Sequence, residues 1–247
     1  MSLVEMIPPS VKEVLRSVLS IPYRGRNRWC PICGKSSRKF ARSGIVPRAD
    51  AKCMHCGALE RHRLVWLYLR RRTALFDGRV GAMLHVAAEP SLQKPLQSHL
   101  GSAYVTADLE DPRAMVRMDI TDIKYPDESF DVIYCSHVLE HVPDDRQAMR
   151  EFRRTLKPGG WALLLVPITA TTTFEDPTVT DPKERLRLFG QKDHVRRYGP
   201  DYVDRLRDEG FEVQVSRSED FLSPEEIHRM GITEAAGEIY HCTKRCR

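Results

Sequence analysis

The pattern of apolar and polar residues divides this chain near residue 80. Beyond that point, short apolar runs alternate with segments in which apolar residues recur every three or four positions. The first pattern is typical of buried strands and the second of amphipathic helices. We predict strands near 82–87, 103–107, 115–118, 131–135, 161–167, 211–216 and 238–243, and helices near 91–100, 144–156 and 200–209. This alternation predicts an α/β fold with a Rossmann-like, doubly wound, mainly parallel seven-stranded sheet.

The segment 129–167 gives the clearest example of this alternation. A β-rich run at 132–134 is followed by apolar residues at helical spacing, and Lys-Pro-Gly-Gly at 157–160 is predicted to end the helix. The continuous apolar run at 161–166 is typical of a strand covered on both faces. These residues therefore predict one β-α-β unit of a parallel sheet.

Charge is distributed unevenly between the two parts of the chain. Residues 1–80 contain 17 Lys and Arg against 5 Asp and Glu, whereas the remainder contains 22 against 29. A basic segment before an acidic body indicates separate partners for the two parts, or contact between them. Simple solvation of a small module by its arginines is the alternative.

Four cysteines in the basic segment have the spacing of a metal site. Cys30 and Cys33 form one C-x-x-C pair, and Cys53 and Cys56 form a second. Four thiolates suit a structural, tetrahedral Zn²⁺ ion, and two unrelated redox or free-thiol pairs are the alternative. Phe40 lies among cations between the pairs, where it could stack a nucleic-acid base or fill the interior of the ribbon.

We predict four regions along the chain. They are an N-terminal helical segment (1–23), a zinc ribbon (24–58), a linking helix (59–80) and the main domain (81–247), which carries an insert near 169–198. No apolar run is long enough to cross a membrane, and the N-terminus lacks the features of a signal peptide. A cytoplasmic location is therefore expected, and the oligomeric state stays open.

Two motifs resemble those of a known family. The order FDVIYCSHVLEHVPD followed by EFRRTLKPGG, within 130–160, resembles the class I methyltransferases that use S-adenosylmethionine. The segment Leu84–Leu92 resembles a bacterial subgroup that reads L-H-x-A-P-E, although Ala88 replaces the proline. The resemblance implies S-adenosylmethionine as methyl donor, bound at the carboxyl ends of the first and fourth strands.

The resemblance also implies donor contacts. Asp108 would accept hydrogen bonds from the ribose hydroxyls, Asp119 would contact the adenine amino group, and Ile120 would pack on the purine. Ser91 is a candidate cap of the helix that follows the first strand, whose loop contains no glycine. The predicted cofactor-binding residues are His85, Ala87, Glu89, Asp108, Leu109, Asp119, Ile120, Cys135 and Ser136.

Three histidines are candidate general bases for a hydroxyl acceptor: His137, His141 and His194. The run His137-x-x-Glu140-His141 resembles the E-x-x-E-H signature of ubiquinone-pathway O-methyltransferases, which implies a second divalent metal. A structural role for His141 is the alternative. We predict that Glu140, Arg197 and Tyr198 line the acceptor pocket, because 194–198 resembles an H-hydrophobic-R-x-[FY] segment. A lead-in to a helix capped by Asp201 is the alternative.

Three functions are compatible with these patterns. The first is a methyltransferase that acts on a small molecule, glycan or lipid precursor. The second is an RNA methyltransferase that binds RNA through its basic ribbon. The third is a zinc-ribbon adaptor that has lost the donor, since the glycine-free loop departs from the usual motif.

Overall fold

The computed structural model describes residues 18–44 and 46–244. Most of the predicted N-terminal helical segment, residues 1–17, lies outside the described residues, and Ile21–Tyr23 form a single 3₁₀ turn. The described chain divides into two compact units. The N-terminal unit contains the described residues up to Thr73, with Pro90–Pro95 and Ser218–Ala236, and the sheet unit contains the rest.

The helices are short, and three of them begin after a residue whose side chain caps the first turn. They are α1 (Glu60–Arg72), α2 (Pro90–Leu100), α3 (Asp145–Thr155), α4 (Pro182–Phe189), α5 (Tyr202–Asp208) and α6 (Pro224–Arg229). Helix α3 begins after Asp144, whose carboxylate accepts a hydrogen bond from the Gln147 amide. Helix α2 begins at Pro90 with Glu89 as its N-cap residue, so the prediction that Ser91 caps this helix is wrong.

Two antiparallel strand pairs form the ribbon of the N-terminal unit. They are β1 (Arg28–Trp29) with β2 (Ser36–Ser37), and β3 (Ala41–Ser43) with β4 (Arg48–Lys52).

Phe40 is buried in this ribbon against Cys30, Cys53 and Ala58. It therefore fills the interior of the ribbon and offers no exposed ring on which a base could stack.

Arg63 of α1 is a fully buried cation in the same unit. Its guanidinium donates hydrogen bonds to carbonyl oxygens of Ala51, Ala58, Met230 and Gly231. It also lies 4.2 Å above the centre of the Phe40 ring. The protein carbonyls replace water around the charge of this side chain.

The sheet unit contains the predicted seven-stranded sheet. Its strands are β5 (Met83–Val86), β6 (Tyr104–Asp108), β7 (Val116–Arg117), β8 (Phe130–Ser136), β9 (Leu156–Leu165), β12 (Phe211–Ser216) and β13 (Ile239–Lys244), in the spatial order β12-β13-β9-β8-β5-β6-β7. Strand β13 pairs antiparallel with both neighbours, and the other pairs are parallel. The predicted Rossmann-like class is confirmed.

Strand β9 begins earlier than predicted. Helix α3 ends at Thr155, and Leu156 already pairs with Phe130 of β8. Pro158 cannot continue a helix, and a proline also restricts the residue before it to extended backbone. The Lys-Pro-Gly-Gly segment is consequently the first part of the strand and not a separate turn.

A smaller pair of strands lies in the insert. Strand β10 (Phe174–Glu175) pairs antiparallel with β11 (Arg196–Arg197). No helix in the described part of the chain is long and apolar enough to cross a membrane.

Candidate functional site

A cavity of about 700 Å³ lies at the carboxyl ends of β5, β6 and β8. The chain order of the strands reverses between β5 and β8, and ligands of open α/β sheets bind at such a switch point. The lining residues include Ala87 after β5, Asp108 at the end of β6, and His137 after β8. The topology of the sheet therefore brings these chain segments to one place.

Two acids and two apolar side chains share this cavity. Asp108 accepts hydrogen bonds from the amides of Glu110 and Asp111 through one carboxylate oxygen, each at 2.8 Å. Leu109 is 49% exposed and Ile120 is buried, and both line the cavity. A carboxylate beside an apolar wall suits a ligand with both hydroxyl groups and an aromatic ring.

Asp119 is held by a single neighbour. Its Oδ1 accepts hydrogen bonds from the amide of Thr121 at 2.8 Å and from the Thr121 hydroxyl at 2.7 Å. These two bonds lower the pKa of Asp119 below its ordinary value. The carboxylate is thus ionised at neutral pH and can accept hydrogen bonds from a ligand.

The loop after β5 is ordered without glycine. Ala87 has a positive φ of 48°, a conformation that ordinarily favours glycine. Below it, His85 Nε2 lies 2.9 Å from Glu89 Oε2, and the Tyr134 hydroxyl donates to Glu89 Oε1 at 3.1 Å. His85 also contacts the Tyr104 hydroxyl at 2.6 Å. Glu89 of the loop is therefore linked through His85 and Tyr134 to the strands of the sheet.

Five of the nine predicted cofactor-binding residues line the cavity. They are Ala87, Asp108, Leu109, Asp119 and Ile120. The cavity lining does not include the other four predicted residues, which are His85, Glu89, Cys135 and Ser136. His85, Cys135 and Ser136 are buried within the sheet, and Glu89 is turned toward His85 and Tyr134. Burial raises the pKa of the Cys135 thiol, as expected for a core residue rather than a nucleophile.

The three candidate histidines lie close together around Glu140. His137 Nδ1 lies 3.3 Å from Glu140 Oε1, and His141 Nδ1 lies 3.4 Å from Asp193 Oδ2. His194 is buried, and its ring meets the His141 ring edge-on with 4.6 Å between centres. Burial is the main cause that lowers the pKa of His194. His137 and His141 line the cavity.

Arg197 and Tyr198 do not line the cavity, contrary to prediction. Tyr198 is fully buried, and its hydroxyl donates to Asp145 Oδ2 at 2.6 Å. Arg197 is half-buried and donates to the backbone of Thr169. The segment is extended, so alternate residues face inward, and the inward set is His194, Arg196 and Tyr198.

Sequence reasoning missed Arg196, which is buried and anchors the insert. It donates to the carbonyls of Leu139, Val142 and Pro143, and to the carboxylate of Glu175. The signal that could have indicated its burial is its position two residues from both His194 and Tyr198, on the same face of an extended segment.

The four cysteines of the ribbon lie in one cluster. Their sulfur atoms are all within 4.8 Å of one another, with Cys30 to Cys56 at 3.6 Å and Cys33 to Cys53 at 3.9 Å. The Gly34 amide donates a hydrogen bond to the carbonyl oxygen of Cys30 at 2.9 Å. The Gly57 amide donates in the same way to the carbonyl oxygen of Cys53 at 2.8 Å. The arrangement offers four sulfur ligands to one ion.

Comparisons with known proteins agree with this fold. Residues 93–164 match a family model described as a methyltransferase domain. The chain is similar to an S-adenosylmethionine dependent methyltransferase structure from Mesorhizobium loti, with a TM-score of 0.50 and 17% identity, covering 73% of this chain and 98% of that one. This likeness concerns the fold alone.

Two curated relatives match over part of their length. The chain is 32% identical over 112 residues to 27-O-demethylrifamycin SV methyltransferase of Amycolatopsis mediterranei (strain S699), covering 44% of this chain and 39% of that protein. It is 30% identical over 112 residues to phosphoethanolamine N-methyltransferase 3 of Arabidopsis thaliana, covering 42% and 20%. The chain thus spans less than half of either relative. The comparisons therefore show similarity to methyltransferases, with the family model matching residues 93–164.

Proposed function

We propose that this protein transfers a methyl group from S-adenosylmethionine to a small-molecule acceptor, with glycan and lipid precursors among the candidate classes. The observation that carries the proposal is the cavity at the switch point, where Asp108 and Asp119 stand beside Leu109 and Ile120. In this arrangement Asp108 would accept bonds from the ribose hydroxyls and Asp119 from the adenine amino group. Leu109 and Ile120 would enclose the purine.

The histidines beside the cavity suit the acceptor side of the reaction. When bound, S-adenosylmethionine supplies a methyl group on a positively charged sulfur. An acceptor hydroxyl attacks that carbon, the carbon–sulfur bond breaks with its electron pair on sulfur, and the hydroxyl proton passes to a base. His137 and His141 line the cavity and are the residues placed to accept this proton.

Two features support a small acceptor over the alternatives. Phe40 is buried, so the ribbon offers no aromatic ring at this position for an RNA base, and the RNA alternative is left with the basic charge of the ribbon alone. His85 and Glu89 do not fill the cavity, as a degenerate donor site would require. The relatives also carry names that specify a rifamycin derivative and phosphoethanolamine as their acceptors.

Titration calorimetry with S-adenosylmethionine tests the proposal. We expect micromolar affinity for the wild type and a roughly 10–100-fold loss for Asp108→Ala, the effect of removing hydrogen bonds to a charged group. Asp204→Ala is the matched control, since Asp204 is exposed and pairs with Arg207 on α5. Absence of heat at millimolar donor would favour the adaptor hypothesis instead.

We also propose a structural Zn²⁺ ion in the cysteine cluster. Four sulfurs at about 2.3 Å from a central ion would lie about 3.8 Å from one another. The observed separations of 3.6 and 3.9 Å bracket that value. Four ligands fill a tetrahedral zinc ion, so the site would stabilise the ribbon without taking part in methyl transfer.

A further inference from the structure

A second group of metal-ligating side chains lies in the sheet unit. Glu140, His141 and His194 each offer one ligand atom, and these atoms lie within 4.8 Å of one another. Glu140 and His141 belong to the 3₁₀ turn after β8, whereas His194 comes from the segment before β11. The Val195 amide donates to the Glu140 carbonyl at 2.9 Å, which fixes the two segments together.

Two acceptor atoms in this group have no partner. Glu140 is 1% exposed and His194 is 6% exposed. Glu140 Oε2 and His194 Nε2 are buried and make no hydrogen bond to any described residue. An unpaired buried carboxylate oxygen costs considerable free energy, and a neighbouring imidazole lone pair adds repulsion. A cation between these atoms would satisfy both.

The outer nitrogen of His141 has the kind of partner that metal-binding histidines use. His141 Nδ1 lies 3.4 Å from the Asp193 carboxylate. His194 Nε2 is buried and makes no hydrogen bond to any described residue, so it is the ring atom that His194 offers to an ion. Metal-bound histidines ordinarily donate their second ring nitrogen to a carboxylate or a backbone carbonyl, which orients the ring.

We propose that Glu140, His141 and His194 bind a divalent transition-metal ion through one carboxylate oxygen and two imidazole nitrogens. This donor set suits Zn²⁺, Fe²⁺, Co²⁺ or Ni²⁺ better than Mg²⁺ or Ca²⁺, which prefer oxygen ligands. Bonds of about 2.0–2.2 Å would hold the ligand atoms roughly 3–4 Å apart, so a small inward shift completes the site.

His137 is not a ligand in this assignment, and because His141 would be bound to the ion, His137 is the cavity histidine that remains available as the general base. It contacts the other oxygen of Glu140, Oε1, and lines the cavity. The ligand set therefore differs from the His137-Glu140-His141 cluster that the sequence resemblance implies.

The ion would lie at the border of the methyl-transfer cavity, because His141 and Asp193 line that cavity. A metal ion there could coordinate an acceptor hydroxyl and lower its pKa, which would release the proton more readily. This role rests on the proposed function, whereas metal binding itself does not.

Metal analysis of the full-length, untagged protein provides the test. We expect two ions per chain in the wild type, one at the cysteine cluster and one at this site. Cys33→Ser should retain one ion, and His194→Ala should also retain one. After the second ion is removed with a mild chelator while zinc stays in the cysteine cluster, added Co²⁺ should bind without the thiolate charge-transfer absorption expected for a cysteine site.

Matched variants separate a ligand role from a folding role. Asp193→Ala removes only an outer partner, and we expect roughly 10–100-fold weaker Co²⁺ binding. His99→Ala, an exposed histidine outside the cluster, should leave two ions. If His194→Ala fails to fold by circular dichroism, His141→Ala replaces it, since the His141 side chain is 34% exposed.

Several outcomes would overturn the assignment. They are a wild type with no ion beyond the cysteine cluster, a folded His194→Ala or His141→Ala variant that keeps both ions, and loss of the second ion in His137→Ala. Absence of S-adenosylmethionine binding together with two bound ions would refute the proposed function but leave this metal site in place.

Discussion

Asp131 joins three strands at the start of the sheet. Its carboxylate accepts hydrogen bonds from the amides of Gly81 and Ala82 and from the Lys157 ammonium, at 2.8–3.0 Å. Burial opposes its ionisation, but these partners outweigh burial and lower the pKa of Asp131. The aspartate of the FDVIY motif is thus a structural residue of β8 that holds the start of β5 on one side and of β9 on the other.

We expect Asp131→Asn to lower the free energy of unfolding by roughly 1–3 kcal/mol at neutral pH, because charge-assisted hydrogen bonds are lost. A lowered folded-state pKa stabilises the protein above the unfolded-state pKa, and this stabilisation disappears as pH falls through the folded-state value. The difference between wild type and variant should therefore shrink below about pH 4. Urea unfolding of the wild type and the variant, at neutral pH and again below about pH 4, measures this difference.

The matched variant is Asp204→Asn at an exposed ion pair with Arg207. It should change stability by less than about 0.5 kcal/mol. An equal loss in both variants would contradict the role assigned to Asp131.

Ala87 tests whether the glycine-free loop is strained. Its φ of 48° costs an alanine about 1–2 kcal/mol relative to glycine. Ala87→Gly should therefore leave stability unchanged or raise it by up to about 1 kcal/mol, since glycine also increases the entropy of the unfolded chain.

Ala88→Gly provides the comparison, because Ala88 is not among the residues with positive φ. That change should destabilise the protein by roughly 0.5–1 kcal/mol. Thermal unfolding of the two variants measures both changes in stability. A larger loss of stability in Ala87→Gly than in Ala88→Gly would refute the strain argument.

At the scale of elements, Arg196 fixes the insert that contains β10 and β11. Its guanidinium donates hydrogen bonds to carbonyl oxygens of the turn around Leu139 and Pro143 and to the carboxylate of Glu175 on β10. Arg196→Ala should lower the free energy of unfolding by roughly 3–5 kcal/mol, because buried acceptors lose their charged partner. Limited proteolysis should then cut the insert faster.

Arg197→Ala is the neighbouring control. Arg197 is only half-buried, and its replacement should cost less than about 1 kcal/mol. Similar protease sensitivity in both variants would show that Arg196 has no special anchoring role.

The strands of the sheet and helices α1, α2, α3 and α5 were predictable because their patterns are local, whereas α4 and α6 were not predicted. Each strand of the sheet appears as a short apolar run, and Asp108 and Asp119 follow strands whose carboxyl ends share one edge. Residues that depend on distant partners were not predictable. Arg63 and Arg196 look like surface cations in the sequence, and their burial follows only from carbonyl groups that the fold assembles around them.

At the scale of the whole molecule, the proposed zinc ion is expected to stabilise the N-terminal unit. The ribbon strands have two to five residues, so metal ligation would supply much of the folding free energy of this segment. Cys33→Ser should lose the cluster-bound zinc and increase amide exchange within β1–β4.

Hydrogen exchange should remain unchanged in β8 and β9 of the same variant, which serve as the internal control. A Cys33→Ser variant that binds as much zinc in its ribbon as the wild type would contradict a four-cysteine site.

The loop after β5 is fixed by contacts within the protein, since Glu89 is held between His85 and Tyr134. A nucleoside that enters the cavity would therefore find its recognition surface already assembled, and association would involve little loss of backbone freedom. Capture of the methyl donor should then occur in a single kinetic phase, at a rate set by diffusional encounter rather than by closure of a mobile turn.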